Sequence, residues 1–316
     1  MNPLSQLIRP RFPSSAVGLT GASAALVSLD RRRDTLVVKR AGLAPLPEGL
    51  LTPGFDESNV ADTAELAVLL QSLATSTGLA RRKRWSVALP EASTRTAILT
   101  LESAAASRAE TEEMLRWKIE RTFGASEQEL RVSRERLGAD SQGRARYLAC
   151  AVRIPVLDEY EQAFAALGWR TGLMLPRHIG EEQWLVRARS ATDSLLVSSH
   201  AEGFTAALLR GSQPLLVRSI TCEPEDRADE LYRFLLFCRD RLLSTSDGDD
   251  NTSTIERMLV AGQGLEEPQA AQIVEETLHA RPRLLRAEDV RLSLPSHELS
   301  FAQLAAPAGL ASLAFG

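Results

Sequence analysis

Apolar and polar positions divide the 316-residue chain into two halves that open alike. Residues 16–30, AVGLTGASAALVSLD, read as a short apolar strand, a turn of small residues and a second strand. The run RRRD is a turn and TLVVKRAGL a further strand, so residues 16–41 read as a β-hairpin. A Pro/Gly-rich loop follows. Across 59–77, Leu66, Leu69, Leu70 and Leu73 recur at helical spacing, with Gly78 as the stop. WSVALP is a buried strand ended by Pro90, and TRTAILTL another strand. Ser107 and Glu110 form a capping-box pattern ahead of a helix with Leu115, Ile119 and Phe123 on one stripe. ELRVSRERL and ARYLACAVR are strands, Pro155 opens a helix that ends before Gly168, and RTGLMLP is a strand.

The second half starts over with three short strands, SLLVSS, FTAALLRG and PLLVRSITC. A helix over 225–243 carries Leu231, Phe234, Leu235, Cys238 and Leu242 on one face. STSDGDDNTST (244–254) is a polar, flexible loop. ERMLVAGQG runs as a strand into a glycine turn, and Glu266 to His279 is a helix. The repeated opening suggests an approximate internal duplication of layout. The C-terminal LAAPAGLASLAFG is apolar but short and holds Pro307, so it reads as a buried final helix.

Composition narrows the class without naming a chemistry. The length fits two lobes, and 44% hydrophobic with 25% charged residues is ordinary for a soluble globular protein. A net charge of -4 gives no support for a nucleic-acid partner. Cys150, Cys222 and Cys238 are scattered, which fits a reducing cytoplasm. No segment approaches the ~20 apolar residues that span a bilayer, and the N-terminus lacks a signal-peptide core. His178, His200, His279 and His297 show no metal-ligand spacing with the cysteines, and there is no nucleophile elbow or Walker loop. Arg81 to Arg84 reads as a solvated basic loop rather than a contact for acidic lipid or nucleic acid. Trp117 reads as core in preference to groove lining.

Several stretches together resemble the PilM-like proteins of type IV pilus assembly and, more distantly, FtsA. These are AGLAPLPEGLL, LQSLATSTGLARRKRWSVALP, SRAETEEMLRWKIERTF, YLACAVRIPVLDEYEQAFAALGWR and LAAPAGLASLAFG, in that order and spacing. The resemblance runs from about residue 16 to 316. It implies an α/β, two-lobed actin-like (ribonuclease H-like) ATPase fold with an inserted small α+β subdomain in the first lobe. The implied division is a flexible segment over 1–15, a first lobe over 16–190 with the insert at about 91–153, and a second lobe over 191–316. In the last of these, a C-terminal helix at about 305–316 packs back on the first lobe. The family's groove beside the insert receives a short cytoplasmic peptide of the membrane protein PilN. In this chain segments 91–103 and 145–153, with Ile98, Leu99, Leu148 and Trp117, are the guess for its lining.

The resemblance also implies ATP with Mg²⁺ as the cofactor to test for. Such a cleft needs two hairpin turns that wrap phosphates, a carboxylate in each first strand for Mg²⁺, and a glycine turn at the adenosine. In the first turn Gly18, Leu19 or Thr20 falls where the family's acid stands, although Gly21, Ala22 and Ser23 could cradle an anion. In the second, Ser198, Ser199 and His200 replace Asp-Ile-Gly, and Glu202 comes several residues late. Gly262 and Gly264 survive as a Gly-x-Gly turn. With both carboxylates missing, these are vestigial candidates, and no meaningful ATPase activity is expected. The expected function is a pseudo-ATPase scaffold binding a PilN-like bitopic protein. It would be cytoplasmic and peripheral to the inner membrane through that partner, with no nucleic acid and no membrane insertion. Pilus assembly ATPases and further copies of the chain are additional partners the resemblance allows. The alternatives are an active ATPase that gates partner binding and a GspL-like domain of type II secretion.

Overall fold

The computed structural model describes residues 12–102, 107–190, 192–240, 255–295 and 299–316. The expected loop at 244–254, Leu242, His297 and most of the N-terminal segment lie outside the described residues.

The chain opens on a three-stranded meander, β1 (Ser15–Leu19), β2 (Ser23–Arg32) and β3 (Thr35–Pro45), rather than a hairpin. Strand β2 runs through most of the RRRD segment. The chain reverses only at Arg33, whose φ of 56° lets a tight turn close. Helix α1 (Thr63–Ser76) starts where the Asp62 side chain accepts from the N–H groups of Ala64 and Glu65. Strand β4 (Arg84–Leu89) follows. The insert is β5 (Arg95–Thr100), α2 (Arg108–Phe123), β6 (Leu130–Leu137) and β7 (Arg146–Arg153), with Ser107 capping α2. Then come α3 (Ile154–Ala166), with Pro155 in its first turn, β8 (Arg170–Pro176) and α4 (Arg177–Ala188). Helix α4 was not foreseen from the pattern.

The second half repeats the plan with β9 (Asp193–His200), β10 (Gly203–Arg210), β11 (Gln213–Thr221), α5 (Arg227–Cys238), β12 (Ile255–Ala261) and α6 (Glu267–Leu278). Helix α5 starts two residues later than the pattern implied, because Pro224–Asp226 forms a separate 3₁₀ turn before it. Two short strands, β13 (Arg283–Leu284) and β14 (Leu292–Ser293), precede α7 (Phe301–Ser312).

Sheet order shows the duplication directly. The first sheet is β14-β3-β2-β1-β4-β8 and the second β11-β10-β9-β12-β13. In each, the first strand pairs antiparallel with the second and parallel with the fourth: Val17 faces Leu26 and Val87, as Val197 faces Ala206 and Val260. Strands β1 and β4 are covered on both sides, so they read as continuous apolar runs rather than alternating ones. The insert forms its own sheet, β5-β7-β6, with Leu115, Ile119 and Phe123 of α2 packed on one face.

The layers follow. Helices α1 and α3 cover the outer face of the first sheet, and α5 and α6 the outer face of the second. Helices α4 and α7 lie between the sheets, α7 against β1, β2 and β4, and α4 against β9 and β12. They meet where neither has a side chain, since a Cβ on Gly309 would collide with the carbonyl of Gly180. Trp184 Nε1 donates to Ala305 O at 2.8 Å and fixes their register.

Candidate functional site

The cleft between the lobes is where three turns would have to receive a nucleotide. In the β1–β2 turn, Thr20 Oγ1 accepts from Ala22 N at 3.3 Å and Ser23 N at 2.9 Å. These amides would otherwise face an anion, so the threonine hydroxyl already satisfies them. A Cβ on Gly21 would stand 3.3 Å from Leu51 O and from Pro53 Cδ, so the turn backs onto the loop that follows β3. Gly18, one of the positions where the acid would fall, lies under α7: a Cβ there would stand 2.9 Å from Pro307 Cδ. Leu19 is fully buried in the outer core. A carboxylate at Gly18 would press on Pro307 of the last helix, and one at Leu19 would be buried in the apolar outer core.

The other two turns are joined by a buried cation. Arg227, at the start of α5, donates through Nη1 to Gln263 O at 2.7 Å and through Nη2 to His200 O at 2.6 Å and Ala201 O at 3.2 Å. Its guanidinium occupies the space that a Cβ on Gly264 would need, and Gly262 closes directly over the carbonyl of Ser199. The glycines, with φ of 84° and 97°, thus serve this contact. Ser198 and Ser199 are buried within β9. His200 Nδ1 pairs with Glu202 Oε2 at 3.1 Å, and that bond holds the Glu202 carboxyl below its ordinary range. The second and third candidate turns are therefore brought together, with Arg227 between them. Residues 20–23, 198–200, 227 and 262–264 do not fit Mg-ATP as an actin-like cleft would hold it.

A buried polar cluster lies deeper in the cleft. Strands β4 and β8 run parallel and both end in Leu-Pro, Leu89 pairing with Pro176, so the residues after them emerge side by side. Glu91 and His178 meet there, Oε1 to Nδ1 at 2.6 Å. Thr205 of β10 donates to the same Glu91 oxygen at 3.0 Å and bonds Ser219 of β11 at 2.9 Å, tying the second lobe to the first. Burial alone would push the Glu91 carboxyl up, but the charge and hydrogen bonds of His178 outweigh it and hold it at about 2. Burial alone would likewise lower His178, and Glu91 instead raises it to about 9. One turn along α4, burial pushes Glu182 up to about 7. Both Glu91 and His178 are buried and engaged with each other, which makes them a lobe-to-lobe tie.

A groove of about 220 Å³ opens between β8 and the insert. Its walls are Thr171 to Pro176 of β8, Arg131 and Ser133 of β6, and Cys150 to Val152 of β7, with Thr94 and Leu89 at one end. Strand β8 is the last in the first sheet and β6 the last in the insert's sheet, so among the described residues two strand edges without a further strand partner flank the groove. Burial pushes the Cys150 thiol up to about 12, so it lines the wall as a neutral group. Thr94 and Cys150 to Val152 fall within the expected lining segments, but the singled-out side chains sit elsewhere. Leu99 is buried under α2, whereas Leu148 and Ile98 join the core between the sheets. Trp117 is neither core nor lining: it is 56% exposed on α2, with the Arg121 guanidinium 5.2 Å from its ring centroid. Arg227, Glu91 and β8 were the residues that sequence reasoning missed. The only local signal for the cluster is the twin Leu-Pro strand ends.

Two lobes with one strand order, facing each other across paired turns, define the actin-like ATPase fold. Among solved structures, the chain is similar to a chain of the PilM-PilN type IV pilus biogenesis complex, with a TM-score of 0.77 and 19% identity over 97% of this chain and 100% of that one. It therefore has a PilM-like form of that fold. More distant likenesses include a Bacteroides thetaiotaomicron protein with actin-like ATPase fold (TM-score 0.49, 10% identity, covering 100% of this chain and 99% of that one). Another is the cytoplasmic domain of EpsL of the Vibrio cholerae type II secretion system (TM-score 0.46, 11% identity, covering 95% and 93%). No protein-family model matches the sequence, and no curated protein is similar to it in sequence. Among the described residues no helix is long and apolar enough to cross a membrane.

Proposed function

We propose that the chain is a pseudo-ATPase scaffold of a type IV pilus assembly complex. Its first-lobe groove would hold a short extended peptide from the cytoplasmic tail of a PilN-like bitopic membrane protein, which keeps the chain peripheral to the inner membrane. The observation that carries this reading is the groove between the free edges of β8 and β6. An extended peptide laid there gains main-chain hydrogen bonds from either edge, and the pockets between alternate side chains give selectivity. The likeness to the PilM–PilN structure supports the partner's class. The cleft keeps its architecture through α7, Thr20 and Arg227 without the acids that phosphoryl transfer needs. Pull-down with the immobilised tail peptide tests the assignment. Retention that free peptide competes away supports it, and no retention at tens of micromolar contradicts it.

A further inference from the structure

Several arginines on this surface sit in ion pairs. Arg95 and Arg153 share Asp56, Arg144 holds Asp140 and Glu102, and Arg210 holds Asp193. At the pole of the first lobe where β4 and β8 begin, several basic residues gather without an acid partner. Among the described residues Arg40, Arg81, Arg82, Lys83 and Arg170 make no ion pair, and Arg81 to Arg84 are all exposed. Two short bonds gather them. Arg170 N donates to Lys83 O at 2.7 Å, placing Arg170 beside the basic loop, and Arg40 Nη1 donates to Thr77 O at 3.1 Å at the end of α1. Arg81 to Arg84 line a hollow of about 310 Å³ with Pro13, Ser14 and Ser15.

Helix ends explain only part of this charge. Arg40 serves the C-terminal end of α1, and Lys83 Nζ donates to Leu167 O at 3.2 Å at the end of α3. Arg81, Arg82 and Arg170 have no such use. Concentrated positive charge at one pole of a chain of net charge -4 is charge aimed outward. Nucleic acid fits the pole poorly. Single strands want several exposed aromatic rings to stack on; here Trp85 and Trp169 are buried against each other and Phe12, next to Pro13, is half-buried. The pole also adjoins the groove: β8 starts at Arg170 and lines the groove from Thr171 onward, and Gly172 packs against Pro13 of the basic hollow.

We propose that this basic pole is a docking surface for an anionic phospholipid bilayer. Lipid phosphates meet Arg81, Arg82, Lys83 and Arg170, and the bilayer then lies at the mouth of the groove. This contact is separate from peptide capture and needs no partner protein. Each basic residue near an anionic leaflet contributes about five-fold in partitioning, and salt screens the effect.

The test is flotation of the full chain with phosphatidylcholine vesicles, with and without phosphatidylglycerol, and no peptide present. Binding is expected only to the anionic vesicles and weakens as salt rises. The triple variant Arg81→Ser, Arg82→Ser, Arg170→Ser, at solvent-exposed positions, is expected to lose about 100-fold in partitioning with an unchanged thermal midpoint. Equal binding to both vesicles, no binding to either, or full retention by a folded triple variant overturns the proposal. So does loss of vesicle binding to inorganic phosphate at constant ionic strength, or a short DNA duplex that outcompetes the vesicles. The vesicle arm contains no peptide, so its failure leaves the scaffold reading standing, and failure of peptide binding leaves this one standing.

Discussion

Pro307 of the last helix stands where a side chain on Gly18 would have to be, 2.9 Å from the position of its Cβ. The contact turns the absence of an acid in the first turn from a sequence detail into a packing requirement. Restoring the acid as Gly18→Asp would bury a carboxylate against a proline ring in a close-packed layer. The variant is expected to lose about 3 kcal/mol or more of stability, read as a fall in the urea midpoint. Isothermal titration with Mg-ATP should show no binding gained.

Arg227 holds the second and third turns together through three carbonyls. Lysine offers one ammonium group in place of the planar fork and cannot reach both turns alike. Arg227→Lys is therefore expected to cost on the order of 2 kcal/mol, and Arg227→Met about 3 kcal/mol because the carbonyls lose a charged donor. Chemical denaturation of both variants checks the order. Equal stability of either variant and the parent chain would remove Arg227 from its bridging role.

The Glu91–His178 tie gives stability a defined pH dependence. His178 is raised from an ordinary 6.5 to about 9, so its contribution is complete below pH 6.5 and is lost as pH rises through 9. Glu91 is lowered from 4.5 to about 2, so its contribution is complete above pH 4.5 and is lost as pH falls through 2. Glu182, raised from 4.5 to about 7, adds to the decline as pH rises from 4.5 through 7. The tie itself is thus complete between pH 4.5 and 6.5; stability should fall below that window, decline across it as Glu182 loses its proton, and fall further above it as His178 does. Glu91→Gln leaves a buried imidazole without its counter-charge and should cost about 3–5 kcal/mol at pH 6 while flattening the alkaline limb. Thermal midpoints across pH 4–9 for both proteins provide the comparison.

Ser133 lines the groove from an exposed position on β6, so a bulky ring there fills the groove at little cost to folding. Ser133→Trp is expected to weaken tail-peptide binding at least about ten-fold with stability changed by less than about 0.5 kcal/mol. Trp117→Ala, on the far side of α2's buried stripe, should change neither quantity by a measurable amount. Fluorescence anisotropy with labelled peptide separates the two positions.

Most of the fold was legible because its elements carry their own patterns. The largely apolar AVGL and WSVAL announce strands buried on both faces, and Asp62, Ser107 and Pro155 mark helix starts. Helix α4 escaped because it is buried nearly all round while containing Arg177, His178, Glu181 and Glu182. A polar residue buried in the core looks, in sequence, like a surface residue. The site was less legible for the same reason. Arg227 and Glu91 act through partners 26 to 114 positions away, and no local spacing encodes such pairs. The groove is a surface between two strand edges, so its lining depended on the packing of the insert against β8. Leu99 and Leu148 point to opposite sides of the insert's sheet, by the alternation any strand imposes, and neither points into the groove.

The central claim is a peptide-binding scaffold whose cleft has no use for nucleotide. It is tested most directly by titrating the purified chain with the fluorescent N-terminal tail of a PilN-like protein, with and without Mg-ATP. The expected result is saturable binding of the same affinity in both arms, abolished by Ser133→Trp. Binding that requires Mg-ATP, or no binding in either arm, would contradict the claim.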